Sequence, residues 1–363
     1  DKPGLLGLGD EIKGVTFVPL EVTTDDASLI DGVYDYAVTD RYIYVLPVKE
    51  PRIVLFDRQG RFIRTLVKEG QGPGEFRGIL PCIQVDERND RLFLFSNNRV
   101  WEYTLEGEFI GQSTHEYSVI YMRHIGKDRF AAISFPFQPF NGGGFGLGLF
   151  SRKGDTIAIK NDFYSFLLPH EKSGFTTSIA PAYSDAQNSV LFKTGSNDTV
   201  FCISADRISA ACVLDLKNSD AEVIRSLDVT DMSNLRIEKK DPKDIFVQDM
   251  IEFPGHYYFR LLYNQGYYIA SVDKKTGKTL VEKCVMPGSI YELADANLQH
   301  GMQGTRSYRN FPVWGRVIKD ELVQVVTPYE LNLYKTLRSI TIPQELDLKG
   351  EEGNPVFVFY SLI

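Results

Sequence analysis

The sequence predicts an all-β protein, a six-bladed β-propeller of four-stranded antiparallel blades whose last blade is closed by strands from both chain ends. Three observations lead there. The 363 residues include 24 Phe, 19 Tyr, 30 Gly and 17 Pro, a composition suited to pleated, half-buried surfaces that turn often. A hairpin pattern recurs at a fixed interval. A glycine-rich corner stands between two of its copies.

The hairpins are "VLFDRQGRFI" (54–63), "VWEYTLEGEFI" (100–110) and "LGLFSRKGDTI" (147–157). Each runs from alternating apolar residues to an aromatic, three mostly polar residues, a glycine and a second alternating run. The aromatics Phe56, Tyr103 and Phe150 are spaced by 47 residues, and so are the glycines Gly60, Gly107 and Gly154. Glycine supplies the positive φ that such a turn needs. A repeat of about 40–50 residues with four short strands is the mark of propeller blades.

A further hairpin precedes each of the first two, turning at Thr39-Asp40 and at residues 87–90, so each unit reads as a meander a-b-c-d. Later blades are read from "SVLFKT", "TVFCIS" and "RISAACVLDL" (blade four), from 244–285 (blade five), and from "FPVWGRVI" and "ELVQVV" (blade six). The sixth lacks two strands. "NPVFVFYSLI" (354–363) supplies strand c and "GVTFVPLEV" (14–22) strand d, which removes exposed sheet edges. Residues 1–13 read as a tether, and 14–363 as a single propeller domain.

"EGQGPGEF" (69–76) falls between blades one and two. A phosphate-binding loop would continue into GK[ST] and a helix, and neither follows. The glycines permit a sharp reversal, and Phe76 can wedge between adjacent sheets. The stretch is expected to be a blade corner.

"FVPLEVTTDDASLIDGVYDY", "IVLFDRQGRFIRTLVKEGQGPGEF" and the terminal "NPVFVFY" resemble the six-bladed, NHL-repeat-like β-propeller family of Bacteroidetes. The resemblance covers residues 18–110 and the C-terminus, and is diffuse between them. It implies an exported protein of lipoprotein type, in the periplasm or at the outer membrane or cell surface, with a lipid-bearing cysteine upstream of Asp1. The family has no established common activity, so the resemblance implies no catalytic residue.

A net charge of −8 argues against a nucleic-acid partner, which would require a basic face. No apolar run has the length of a transmembrane segment. Cys82, Cys202, Cys212 and Cys284 form no CxxC and no zinc spacing, and are expected to be buried thiols. The five histidines fall in no HExxH pattern and no GxSxG is present, so neither a cofactor nor a metal centre is expected. "DERND" (86–90) resembles a calcium cluster but occupies a short turn, where such residues satisfy the backbone.

In a meander blade the a–b and c–d turns share one end and the b–c and d–a connections the other. The first class is short here. The second holds the long insertions 135–145, 161–180, 217–243, 287–310 and 327–348, and long connections in compact domains are where function concentrates. Candidate ligand-binding residues on that face are Phe135, Phe137 and Phe140 beside a glycine run, Phe163, Tyr164 and His170, and Arg306, Tyr308 and Arg309. Aromatic rings offer contact area, and arginine forks suit carboxylates, sulfates or sugar hydroxyls. Arg58 and Lys275, on short turns, mark the opposite face. The expected role is non-catalytic binding or scaffolding in the cell envelope, engaging a glycan, peptide or protein. The alternative is a propeller hydrolase or lyase with a polar site at the channel mouth on the same face.

Overall fold

A computed structural model describes residues 12–78, 82–96, 98–115, 119–134, 137–138, 147–160, 166–167, 182–186, 189–193, 198–216, 245–263, 266–283, 316–331 and 353–363. The fold is a six-bladed β-propeller, each blade a four-stranded antiparallel sheet whose strands a to d follow in order. The chain clusters into two compact units, residues 1–69 with 282–363, and residues 70–281.

In the first unit, β1 (Ile12–Pro19) is followed by blade one: β2 (Val33–Val38), β3 (Tyr42–Pro47), β4 (Arg52–Asp57) and β5 (Phe62–Lys68). In the second unit, blade two comprises β6 (Cys82–Asp86), β7 (Arg91–Ser96), β8 (Arg99–Tyr103) and β9 (Phe109–Thr114). Blade three comprises β10 (Val119–His124), β11 (Arg129–Ser134), β13 (Leu147–Ser151) and β14 (Thr156–Lys160), with β12 (Phe137–Gln138) lying between its b and c strands. After β15 (Phe166–Leu167) comes blade four: β16 (Ala182–Ala186), β17 (Ser189–Lys193), β18 (Thr199–Ser204) and β19 (Ile208–Val213). Blade five comprises β20 (Phe246–Glu252), β21 (His256–Tyr263), β22 (Gly266–Asp273) and β23 (Thr279–Lys283). Blade six comprises β24 (Arg316–Ile318), β25 (Glu321–Val326), β26 (Val356–Leu362) and, as its outer strand, β1.

The composite blade follows the sequence expectation. β1 lies antiparallel to β26, from Ile12 opposite Leu362 to Pro19 opposite Val356. β26 is apolar at consecutive positions because both of its faces are covered, and Val356, Phe357, Val358 and Tyr360 are inaccessible to solvent. Asn354, itself buried, precedes this strand. Its amide oxygen accepts from the Ile30 N–H at 2.7 Å, and its amide nitrogen donates to the carbonyls of Glu21 (2.7 Å) and Ser28 (2.8 Å). One side chain thereby satisfies three backbone groups that no strand serves.

Cores form between neighbouring blades. In the first unit Tyr36, Val38, Ile43 and Phe56 pack with Val18, Val323, Phe357 and Phe359. Tyr36 meets Phe357 edge-on at 5.3 Å and donates its hydroxyl to the Val323 carbonyl. In the second unit Phe93, Phe95 and Val100 pack with Met122, Phe130 and Phe150, and similar layers join blade three to four and four to five.

The repeated turn glycine has a reason beyond its own turn. Gly60 has φ +83°, and a Cβ there would lie 2.2 Å from the Pro19 carbonyl oxygen on the outer strand of blade six. At Gly154, the equivalent position of blade three, a Cβ would come within 2.9 Å of the Thr114 carbonyl oxygen of blade two. These two c–d turns thus press a bare Cα onto the preceding blade.

The corner also behaves as expected. Phe76 is wholly buried, Gly70 N–H bonds the Phe76 carbonyl, and Gly72 N–H bonds the Glu75 carboxylate at 2.7 Å. "DERND" is a turn: residues 87–89 form one 3-10 turn, Asp90 sits at φ 54°, and its carboxylate accepts from the Leu105 N–H. Cys82, Cys202 and Cys212 are free thiols, while Cys284 lies outside the described residues.

Two elements escaped the sequence. Blade four starts with β16, "AYSDA", which lacks apolar alternation. Blade three starts with the β10–β11 hairpin, whose turn passes through positive φ at Gly126, Lys127 and Asp128.

Two outcomes follow. Asn354→Ala strands two buried backbone groups, the Ile30 N–H and the Ser28 carbonyl, while the Glu21 carbonyl keeps the Ser28 hydroxyl, and should destabilise the protein by about 2–4 kcal/mol in denaturant unfolding; a loss under about 1 kcal/mol would show that solvent replaces the amide. Gly60→Ala and Gly277→Ala both enter positive φ, but nothing lies within 4 Å of a Cβ at Gly277. The first should therefore cost at least about 1–2 kcal/mol more than the second. Equal costs would refute the close approach as the reason for the repeat.

Candidate functional site

Strand order decides which end of each sheet carries the long segments. The a–b and c–d turns span two to five residues throughout. Every connection of twelve residues or more between the described strands is b–c or d–a: 13 residues from β1 to β2, 13 from β5 to β6, 12 from β11 to β13, 21 from β14 to β16, 32 from β19 to β20, 32 from β23 to β24 and 29 from β25 to β26.

Of the sequence candidates, Phe137 lies on β12, in the b–c connection of blade three. β12 pairs in parallel with β15, in the connection that follows blade three, with Phe137 opposite Phe166 and Gln138 opposite Leu167. Backbone pairing thus joins two long connections at the same end of the sheets. Phe135, Phe140, Phe163, Tyr164, His170, Arg306, Tyr308 and Arg309 lie outside the described residues. In the last blade residues 328–331 are helical, within the 327–348 connection. Thr327 accepts from the Glu330 N–H at 3.1 Å while the Glu330 carboxylate accepts from the Thr327 N–H at 2.7 Å, a capping box.

Arg58 needs correction as a neutral marker of the short-turn end. Its guanidinium bonds both carboxylate oxygens of Glu321, at 2.8 and 3.0 Å, and stacks 4.0 Å above the Phe359 ring. It is an inter-blade clamp. Lys275 is exposed, as expected.

The sequence reading passed over single polar residues within the a strands. Asp35 on β2 has no exposed surface and pairs with Arg316 on β24 at 2.6 Å. Arg316 also donates to the Tyr36 carbonyl and lies 4.7 Å above the Tyr36 ring. In the other unit the Gln84 amide on β6 docks onto the backbone of His124 on β10, donating to its carbonyl at 2.7 Å and accepting from its N–H. Arg123 donates to the Ile83 carbonyl at 3.2 Å. These groups knit inner strands together. The available signal was one Asp, Gln or Arg within an apolar a strand.

Two buried histidines sit between blades two and three. His115 is 2% exposed, meets Phe130 and Phe150 edge-on, and has no hydrogen-bond partner for either ring nitrogen among the described residues. Burial pushes its pKa down to about 4. His124 stacks on Phe93 at 5.0 Å, and burial pulls its pKa down against the opposing charge of Asp86, 3.6 Å away.

A cleft of about 700 Å³ opens where blade two meets the turns of blade three. Its central carboxylate is already committed. Glu102, nearly buried, takes Arg91 at 2.6 Å and a two-pronged contact from Arg152, and Arg152 also reaches Asp128 at 3.7 Å. Among the described residues no cluster of three or more His, Cys, Asp or Glu is placed to hold a metal ion.

Six such blades with inter-blade cores define the β-propeller class. Within it, the chain belongs to the family described as "Domain of unknown function (DUF4934)", whose model matches residues 1–361. None of the curated proteins matches the chain. A crystal structure of a Bacteroides fragilis protein, provisionally described as exported, superposes with a TM-score of 0.68 at 15% identity, covering 98% of this chain and 96% of that one. A structural-genomics protein of unknown function from Bacteroides thetaiotaomicron gives a TM-score of 0.38 at 11% identity, covering 74% of this chain and 64% of that one. The Neurospora crassa Pan2 WD40 domain gives 0.40 at 12% identity, covering 75% and 74%. The first of these likenesses shows the fold.

The histidines give the stability a defined pH dependence. The unfolded chain protonates His115 near pH 6.5, the folded chain only near pH 4. Stability is therefore fully present above pH 6.5 and declines as the pH falls towards 4, by up to about 3 kcal/mol from this residue. His115→Phe should flatten part of that decline, leaving the His124 share. Denaturant unfolding at pH 7.5 and 4.5 measures it, and an unchanged pH slope in the variant would remove His115 as its source.

Proposed function

We propose that the protein is a non-catalytic binding or scaffolding propeller of the cell envelope. It engages a glycan, peptide or protein through the ends of its blades that carry the long connections. The observation that carries this reading is the parallel pairing of β12 with β15. Two connections that the blades themselves do not need are tied together by backbone hydrogen bonds, which holds them in one arrangement before any ligand arrives. The placement of every long connection at one end of the sheets adds to it. The envelope location rests on the exported description of the B. fragilis relative and on the resemblance of the blade motifs. On this reading residues 14–363 act as one propeller domain behind a short tether, with Phe135, Phe137, Phe140, Phe163, Tyr164, His170, Arg306, Tyr308 and Arg309 supplying the contact surface.

The purified protein should retain a ligand on a glycan or peptide array. Phe137→Ala combined with Arg306→Ala should weaken that ligand by about tenfold or more and leave the melting temperature nearly unchanged, as surface changes stay within about 0.5 kcal/mol. The control is Gln59→Ala with Lys275→Ala, two exposed positions on short turns. Loss of binding in the control pair alone would place the contact at the wrong end of the blades. Turnover of the arrayed ligand would make the protein an enzyme instead.

A further inference from the structure

A second cleft of about 450 Å³ adjoins the first along blade two, sharing Gly111 and Gln112 with it. One wall is the corner, residues 72–77, and the other is formed by β8 and β9. Arg77, Arg99, Trp101, Phe109, Gln112 and Glu75 line it. Its arginines are uncommitted, whereas Glu102 and Arg152 of the neighbouring cleft hold each other. Among the described residues neither Arg77 nor Arg99 pairs with a carboxylate, and the only bond Arg77 makes is from Nε to the Gly70 carbonyl at 3.2 Å.

The walls are built to stay in place. Tyr103 donates its hydroxyl to the Gly74 carbonyl at 2.9 Å, and burial, with the nearby Glu75 charge, holds that phenol well above its ordinary pKa range, so it remains a donor. Gly74 has φ +79°, and a Cβ there would lie 2.9 Å from Cβ of Phe109, so the corner rests directly on β9. Tyr103 supports Phe109 edge-on at 5.6 Å, leaving the Phe109 residue 45% exposed. Glu75 is steadied through its bond from Gly72 N–H. A preformed cleft of this size suits one or two sugar rings.

We propose that this cleft binds an anionic sugar. The two guanidiniums take the carboxylate or sulfate, as arginine forks do. The exposed Phe109 ring accepts the apolar face of a pyranose, over a floor supplied by Trp101. Gln112 offers both a donor and an acceptor to ring hydroxyls, and Glu75 accepts from a hydroxyl. An acidic peptide gains from the arginines but brings no flat apolar ring face to Phe109. None of the nine candidate contact residues of the crown lines this cleft, although its corner wall is part of the 13-residue connection from β5 to β6, and it stands apart from the binding proposed there.

The test is calorimetric titration of the full chain with four probes: a trisaccharide of galacturonic acid, its neutral galactose counterpart, a sulfated galactose trisaccharide and a triglutamate peptide. The expected result is binding of an anionic sugar that weakens with added salt, with the neutral sugar and the peptide at least about tenfold weaker. Preference between the two anionic sugars identifies the anion. Arg77→Ala, Arg99→Ala and Phe109→Ala should each reduce affinity about tenfold or more with the melting temperature maintained, and Arg99→Lys should recover only part of it, because charge survives and the fork does not. The Phe137→Ala, Arg306→Ala pair should bind these probes as the parent does, which separates failure at this cleft from failure at the crown. No heat with either anionic sugar at millimolar concentration, equal binding of the neutral sugar or the peptide, or undiminished binding by the arginine variants would each overturn the proposal.

Discussion

The antiparallel contact between β1 and β26 is the constraint on which the last blade depends. β26 stands between β25 and β1, so both of its hydrogen-bonding edges are used and its side chains are covered on both faces. Without β1 it would become an outer strand with a row of unpaired amides beside an apolar surface. The cost is topological. Residues more than 320 positions apart must meet, as the bonds of Asn354 to Glu21, Ser28 and Ile30 show, and joining them costs more loop-closure entropy than forming a local hairpin.

Charge is distributed by the same logic. Where blades meet, carboxylates and guanidiniums neutralise one another: Asp35 with Arg316, Glu102 with Arg91 and Arg152, Glu321 with Arg58. A buried charge without a partner would be far more expensive than the pair is helpful, so these contacts specify how blades dock more than they add stability. Arg77 and Arg99 have no carboxylate partner among the described residues, and they flank an exposed aromatic ring on a braced wall.

Legibility followed the physics of each element. The c–d hairpins were plain because the turn needs a positive φ and the turn packs on a neighbouring backbone, and both demands select glycine at Gly60 and Gly154. The composite blade was plain because "NPVFVFYSLI" and "GVTFVPLEV" carried strand patterns without partners nearby in sequence. β16 was hidden, since "AYSDA" has no run of bulky apolar residues. The candidate crown was legible as a set of long segments, and Phe137 is the one of its nine candidate contact residues that lies among the described residues, on a strand paired with β15. The rim cleft was invisible, because Arg99 and Trp101 read simply as strand c and Arg77 as the end of a corner.

By itself the sequence determined the blade count, the meander order and the use of both chain ends in one blade, because period, alternation and turn chemistry are local properties. Only the tertiary structure decided what each polar side chain is for. Arg58, Arg316, Arg77 and Arg99 are the same residue type in the sequence, yet the first two are held by Glu321 and Asp35 and the others are not. Which carboxylate reaches which guanidinium depends on strands brought together from distant parts of the chain, and that distance is erased only by folding.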